Sequence, residues 1–291
     1  MEKRISIHNI PEISAIYFAL LQCGYDYYSF EKSNDLKETI ENFRKEKTDC
    51  MVSFFAKIKQ NTCDVYPYWP RAAALEKATF FIDCSSIQFK DFDVYQNDIM
   101  TASNISEAER NQDFWDWVKD FPSALASILN CNCFQDYLNW ENKWVEEQNH
   151  IWKNDLNQIQ QILDFCATHY ASPIHNVSIV LNPIKCAYSA DYHIHGNRFF
   201  FCSGAFRPES VIPEFLHPIA RPFVKEAKDT IQRLHTRYPG IDESYYLSGD
   251  GDGRVNAFEE YIVRCLSADV LAGNLPLNLT SFVCEILSRF S

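Results

Sequence analysis

The sequence is poor in glycine and contains none of the glycine-rich patterns that bind phosphate. Only 8 of its 291 residues are Gly, and neither GxGxxG nor GxxxxGK[ST] occurs. Such patterns wrap backbone N–H groups around phosphate oxygens at the start of a helix. We therefore expect no dinucleotide or P-loop site. GxSxG, which marks the nucleophile of α/β-hydrolases, is also absent.

The sequence also has fewer basic than acidic residues. The chain has 27 Lys and Arg against 39 Asp and Glu, a net charge of −12. Binding to nucleic acid or to an anionic membrane needs clustered Lys and Arg. The longest basic stretch, Arg44-Lys45-Glu46-Lys47, is interrupted by an acidic residue. We expect a solvated helix face there, and neither a nucleic acid nor a membrane as partner.

Long apolar runs and paired cysteine patterns are missing too. No window approaches the ~18 apolar residues of a membrane-spanning helix, and no apolar run of signal-peptide length follows Met1. The 11 Cys include no CxxC, and Cys131-Asn132-Cys133 is the closest pair. A zinc site at that pair would need further ligands that the sequence does not indicate. We predict a cytoplasmic protein with reduced, mostly buried thiols.

The composition that remains is typical of a globular chain. Hydrophobic residues make up 46% and charged residues 23%, as in folded domains. A length of 291 residues is enough for one large domain or two smaller ones. Periodicity and cap residues predict an α+β fold that is mostly helical. The predicted elements of the first half are a strand over 4–10, a helix from Pro11 to about Cys23, a helix capped by Ser33, and short strands or a buried extended segment over 79–83 and 86–89. Those of the second half are a long helix over 135–169, a strand over 177–181, a hairpin over 188–202 that turns at 195–197, and helices over 221–238, 256–272 and 279–290.

The stretch with the clearest chemical content is Pro213-Glu214-Phe215-Leu216-His217. In the HExxH pattern of zinc peptidases, two His four residues apart bind the metal and the Glu acts as general base. Here Glu214 and the second His, His217, are present, and Pro213 replaces the first His. If Ser210 caps the helix, Pro213 lies in its first turn, where a missing N–H costs little. We expect Pro218 to kink the same helix.

The order of elements around this stretch resembles the gluzincin-type zincins. More narrowly, residues 155–275 resemble bacterial proteins of unknown function, predicted to be peptidases, that carry an HEFxHP-like segment and a downstream E-x-x-V-R helix. The resemblance implies that His217 is the second His ligand, Glu214 the general base and Glu260 the third zinc ligand, with Glu259 as the alternative. The resemblance does not account for the N-terminal half, where periodicity predicts a mainly helical region with short strands over 1–150. A zincin-like region over 151–291 would have a small mixed sheet and a hairpin edge strand, and the two regions could form one continuous domain.

Pro213 leaves this zinc site short of ligands. A catalytic zinc normally has three protein ligands and a water, whereas His217 and Glu260 are two. We therefore predict a degenerate, catalytically inactive zincin-like protein that binds a peptide or protein, with His193 and His195 of the hairpin contacting it by strand addition. The alternative is an active zinc metallopeptidase in which His193, His195 or His235 supplies the missing ligand.

A third hypothesis is calcium binding at residues 248–259. Ser248, Asp250 and Asp252 stand at positions 1, 3 and 5 of an EF-hand-like loop, with Glu259 at position 12. Calcium needs this spacing of oxygen ligands, and Gly253 at position 6 suits the sharp turn. The segment before the loop is short for an entering helix, so a Gly/Asp turn before the helix at 256 is the alternative.

Overall fold

The computed structural model describes residues 5–25, 32–46, 53–60, 69–83, 85–100, 112–170, 172, 174–186, 190–234, 237–242 and 253–290. Helices dominate, and two short groups of strands lie among them. In chain order the first elements are β1 (Ile5–His8), α1 (Pro11–Gln22), α2 (Asn34–Lys45), α3 (Ser53–Ala56), α4 (Trp69–Thr79), β2 (Ile82–Asp83), β3 (Gln88–Phe89), α5 (Phe92–Met100), α6 (Gln112–Lys119), α7 (Phe121–Leu129), α8 (Asn132–Ile151) and α9 (Lys153–His169). The remaining elements are β4 (Asn176–Leu181), β5 (Asp191–His195), β6 (Arg198–Ser203), α10 (Pro208–Glu226), α11 (Lys228–Arg233), α12 (Gly253–Leu271) and α13 (Leu279–Ser288).

Four strands form a mixed sheet in the order β1-β4-β6-β5. β1 runs parallel to β4 and β4 parallel to β6, whereas β5 is antiparallel to β6 and lies at the edge. β5 and β6 are joined by the two-residue turn Gly196-Asn197, where Gly196 has a φ of 61°. A two-residue hairpin turn needs positive φ, which Gly adopts without strain. The predicted class is confirmed: a mostly helical α+β fold with a small mixed sheet and a hairpin edge strand.

The first strand of the chain pairs with a strand from its C-terminal half. Ile5 lies opposite Val177 in a parallel register, so β1 belongs to the same sheet as β4–β6. Both faces of this sheet are covered. Val177 and Ile179 pack into one hydrophobic cluster with α9–α13, and Val180 packs into another with α1, α4, α7 and α8. Coverage on both faces explains why β4 is buried from Val177 to Leu181, without the alternation of a strand that has one face in water.

Three predicted element boundaries are wrong. In place of one helix over 221–238, α10 ends at Glu226 and α11 contains only Lys228–Arg233. The long helix over 135–169 is two helices, which meet at Trp152 with φ −96° and ψ 17°. No Pro or Gly marks that junction, and the Trp152 ring packs edge-on against Phe206 at 5.2 Å. Tertiary packing therefore decides the break. The strand predicted over 79–83 is shorter, since α4 extends to Thr79 and β2 contains only Ile82 and Asp83.

The helix of the PEFLH stretch also differs from its prediction. α10 begins at Pro208 with Arg207, not Ser210, as its N-cap, and it continues through Pro213, Pro218 and Pro222. Pro213 therefore lies in the second turn, where its missing N–H removes a backbone hydrogen bond. An interior Pro costs about 3 kcal/mol. Burial offsets that cost, because one side of α10 packs along α12 through buried side chains at 211, 212, 215, 216, 219, 220 and 224.

Candidate functional site

Two charged clusters lie on opposite faces of the edge strand β5. Successive side chains of a strand point to opposite faces. Tyr192 accordingly stacks on His217 of α10, with ring centroids 6.4 Å apart. Its neighbour His193 contacts Glu76 of α4. We call the two groups the His217 cluster (Glu214, His217, Arg221, Glu259 and Glu260) and the Lys185 cluster (Tyr17, Glu76, Lys185, Asp191 and His193).

The His217 cluster is built by α10 and α12. His217 Nδ1 lies 2.9 Å from Glu259 Oε1, and His217 Nε2 lies 3.3 Å from Glu260 Oε2. Consecutive residues of a helix face about 100° apart, so the two carboxylates approach the imidazole from different sides. The structure thus brings together His217 and Glu260, which the resemblance to zincins paired as metal ligands.

Two arginines balance the carboxylates of this cluster. Arg221 donates from Nε to Glu259 Oε2 at 2.9 Å and from Nη2 to Glu259 Oε1 at 3.0 Å. Such a two-pronged contact is among the strong charge-assisted hydrogen bonds. Arg264 donates from Nε to Glu260 Oε1 at 2.7 Å, one turn along α12. Both carboxylates are therefore held by cations of the protein itself.

The environment shifts the pKa values of this cluster in a consistent pattern. Burial lowers the pKa of His217, but hydrogen bonds to Glu259 and Glu260 outweigh burial and raise it to about 9. The hydrogen bond from His217 lowers the pKa of Glu260 to about 2. Burial raises the pKa of Glu214 to about 7, against the attraction of His217. At neutral pH His217 is therefore an imidazolium, with Nδ1 hydrogen-bonded to Glu259 and Nε2 ion-paired with Glu260.

The residues of the His217 cluster do not fit the zinc centre that the resemblance implies. A catalytic zinc needs three protein ligands, and Pro213 offers no donor atom. His193 and His195 lie on the other face of β5, beside the Phe80 ring at 5.7 and 6.0 Å. His235 lies outside the described residues. The structure therefore brings neither hairpin histidine to His217 as a substitute ligand.

The two hairpin histidines also differ in their access to a bound partner. His193 is 3% exposed and is held by Glu76, so its side chain does not reach a partner at the surface of the strand. His195 is exposed, next to the turn. A partner could contact the His193 side chain only if that side chain left Glu76, whereas the His195 side chain is already exposed.

The Lys185 cluster is sealed inside the protein. Lys185 Nζ lies 2.6 Å from both Glu76 Oε1 and Asp191 Oδ2 and donates to Tyr17 Oη at 2.7 Å. Glu76 also accepts from Tyr17, and its other oxygen lies 2.9 Å from His193 Nε2. Gly204 allows this packing, because a Cβ there would overlap the carbonyl oxygen of Lys185.

Charge pairing fixes the ionisation of the Lys185 cluster. Burial lowers the pKa of Lys185, but Asp191 and Glu76 outweigh it and raise the pKa well above the ordinary value. Burial raises the pKa of Glu76, yet Lys185 and His193 outweigh it and lower the value to about 2. Burial prevails at Asp191 and raises its pKa. Lys185 lies at the same distance from both carboxylates, so the ammonium and its two partners form one charge-paired network.

One metal-binding geometry exists in this cluster. Among the described residues, Glu76, His193 and Cys202 form the one group of three whose ligand atoms lie within 4.8 Å of one another. The Lys185 ammonium already contacts Glu76 at 2.6 Å, and a divalent ion there would have to displace it. We assign the cluster a structural role. The sequence gives no signal for this cluster, because Tyr17 and Lys185 lie 168 residues apart and its members share no local spacing.

The predicted calcium loop is described only at its end. Ser248, Asp250 and Asp252 lie outside the described residues, and Gly253 is the first residue of α12. Glu259, the predicted bidentate ligand, is 3% exposed, and both its oxygens accept hydrogen bonds from Arg221. A calcium ion bound by Glu259 would have to break that contact.

Comparison of the chain with protein-family models, curated proteins and solved structures gives no match. Within the described part of the chain, no helix combines the length and apolar character needed to cross a membrane. The functional argument therefore depends on the geometry of the His217 cluster and of the edge strand beside it.

Proposed function

We propose that the chain is a zincin-like protein in which an ion-paired cluster takes the place of the metal centre. It acts by binding an extended peptide along β5 rather than by cleaving it. The observation that carries this proposal is the pairing of His217 with Glu259 and Glu260, next to a helix position where Pro213 supplies no ligand. The proton on His217, together with Arg221 and Arg264, supplies the positive charge that a zinc ion would otherwise bring.

The edge of β5 supports the peptide-binding part of the proposal. In a two-residue hairpin the pair next to the turn, here His195 and Arg198, is hydrogen-bonded, and such pairs alternate along the strands. The backbone N–H groups of Tyr192 and Ile194 therefore point away from β6. Lys77 Nζ already donates to Ile194 O at 3.3 Å, so we expect a peptide to pair chiefly with these two N–H groups.

Metal analysis tests the first part of the proposal. We expect protein purified without chelator to hold zinc far below one ion per chain, and Pro213→His to gain zinc affinity because it restores a ligand one turn before His217. Pro222→His is the matched control. It also removes an interior proline of α10, but it lies five residues after His217 and so on a different side of the helix.

The outcomes separate the competing hypotheses. One zinc ion per wild-type chain, with hydrolysis of a denatured protein substrate, would establish the metallopeptidase alternative and overturn the proposal. Equal zinc affinity of Pro213→His and Pro222→His would count against the resemblance to zincins. Bound calcium without zinc would favour the loop at 248–259.

A separate experiment tests peptide binding at β5. A phage library of random peptides is selected on the wild-type protein, and the selected sequences are synthesised for titration calorimetry. Ile194→Pro removes an outward N–H at an edge position, where Pro is tolerated, and we expect it to lose binding. Ile194→Val keeps the N–H and should bind as the wild type does. Equal binding by both variants would contradict strand addition at this edge.

A further inference from the structure

Two cysteines meet at the corner between α7 and α8. Cys131 is the N-cap of α8 and Cys133 is its second residue. Their sulfur atoms lie 3.0 Å apart, and both side chains are partly exposed. Two residues of chain span at most about 7 Å, close to the ~4.4–6.8 Å between Cα atoms of bridged cysteines. The two side chains are thus turned toward each other within reach of a covalent bond.

The start of α8 favours the reactive form of these thiols. The first N–H groups of a helix have no partner within the helix, and the helix dipole is positive at that end. Thiolates at helix N-termini are stabilised for this reason, and the thiolate is the nucleophile. α8 has 20 residues, and Cys131 is its N-cap.

The buried cysteines Cys166 and Cys202 have the opposite environment. Burial raises the pKa of Cys166 to about 12 and raises that of Cys202 well above the ordinary value. Buried thiols of this kind are chemically inert. The 131–133 pair differs from them in exposure, in its position at a helix start, and in the contact between its two sulfurs.

We propose that Cys131 and Cys133 form a redox-active dithiol that closes reversibly to a disulfide. The co-reactant is a small disulfide of the glutathione type. One protein thiolate attacks a sulfur of the small disulfide, whose S–S bond breaks to release one small thiolate. The second protein thiolate then attacks the protein sulfur of the mixed disulfide and releases the other small thiolate. The two thiol protons pass to the released thiolates, so the pair is oxidised and the small disulfide is reduced to two thiols.

The pair is accessible enough for this exchange to run in both directions. Exposed disulfides tend to be the reducible ones, whereas buried structural disulfides resist reduction. Closing a loop of only three residues also constrains the unfolded chain little. The bond would therefore act as a reversible modification at the start of α8 rather than as a structural crosslink.

The experiment equilibrates the whole protein in glutathione buffers with a rising fraction of the oxidised form. Acid quenching and iodoacetamide then label the remaining thiols. Trypsin releases residues 120–143, which contain Cys131 and Cys133 and no other cysteine. We expect this peptide to carry two alkyl groups under reducing conditions. Under oxidising conditions it should carry none and be lighter than the unlabelled peptide by two hydrogen atoms.

Matched variants identify the mechanism. Cys131→Ser and Cys133→Ser should each stop at a mixed disulfide with glutathione, whereas Cys284→Ser, at an exposed cysteine, should leave the 120–143 result unchanged. Two alkyl groups on the wild-type peptide in the most oxidising buffer would overturn the proposal, as would a mixed disulfide as the final wild-type product. So would equal oxidation of the folded and urea-unfolded chain, because the arrangement at α8 would then contribute nothing.

Discussion

Tyr192 and His193 are neighbours on β5, and their side chains contact two different clusters. The two clusters have similar composition but differ in their exposure to water. Each cluster combines an imidazole, carboxylates and a basic side chain. In the Lys185 cluster the side chains of Lys185 and Glu76 are 2% and 0% exposed. In the His217 cluster the side chain of His217 is 15% exposed and that of Arg221 is 38% exposed. A single edge strand thus separates an enclosed charge network from one that water can approach.

This difference in access determines what each cluster can do. A charge that loses its partner inside a protein costs several kcal/mol, so an enclosed network is stable only when all its members are paired. A partly exposed network exchanges its partners with solvent at much lower cost. The Lys185 cluster therefore fixes β5 against α1 and α4, whereas the His217 cluster is the one in which a ligand group could replace an existing contact.

Removing the Lys185 ammonium should lower the free energy of unfolding more than any other change to the two clusters. Lys185→Met leaves Glu76 and Asp191 buried without their ammonium partner, and we expect a loss of about 3–5 kcal/mol in the free energy of unfolding. Arg264→Met, which removes the cation paired with Glu260 of the His217 cluster, is the matched control. Its side chain is 53% exposed, and an exposed pair contributes about 0–1 kcal/mol. Urea denaturation of both variants measures the difference.

The same two variants test whether the Lys185 cluster fixes β5 against α1 and α4. Equal stability of Lys185→Met and Arg264→Met would mean that the enclosed network does not hold β5 in place. A Lys185→Met variant that does not fold would agree with the larger loss. In that case Lys185→Arg, which keeps the charge but not the size, gives a measurable intermediate.

The pH dependence of His217 should give a smaller effect. Its pKa is raised from 6.5 in the unfolded chain to about 9 in the folded protein, so the folded state binds the proton more tightly. Its stabilising contribution is complete below pH 6.5 and is lost as the pH rises through about 9. We expect the stability difference between wild type and His217→Gln to shrink by about 2–3 kcal/mol over that range.

Denaturation of both proteins at a series of pH values measures this change, and the NMR titration of the His217 ring reports the pKa directly. A ring that titrates near 6.5 would show that Glu259 and Glu260 do not hold the proton. The difference between the proteins would then be independent of pH above that value.

The sequence predicted much of the fold and members of one of the two charged clusters, the His217 cluster. The turn at 195–197 indicated the hairpin of β5 and β6, and Pro11 indicated the start of α1. The resemblance to zincins pointed to His217 and Glu260, which the structure does bring together. The Lys185 cluster could not be found in this way, because its members are joined only by tertiary contacts. The prolines of α10 misled the helix prediction, since burial against α12 outweighs their local cost.

The pairing of β1 with β4 has a consequence for how the chain folds. During synthesis from the N-terminus, β1 emerges long before Val177, the partner of Ile5. Until then its strand edge has no parallel partner, and such edges are prone to pair with other chains. Contacts between distant parts of a chain also form slowly, because a long loop must close first. The central sheet is therefore completed late, after α1–α9 have been made, and the newly made chain depends on those helices to cover β1 in the meantime.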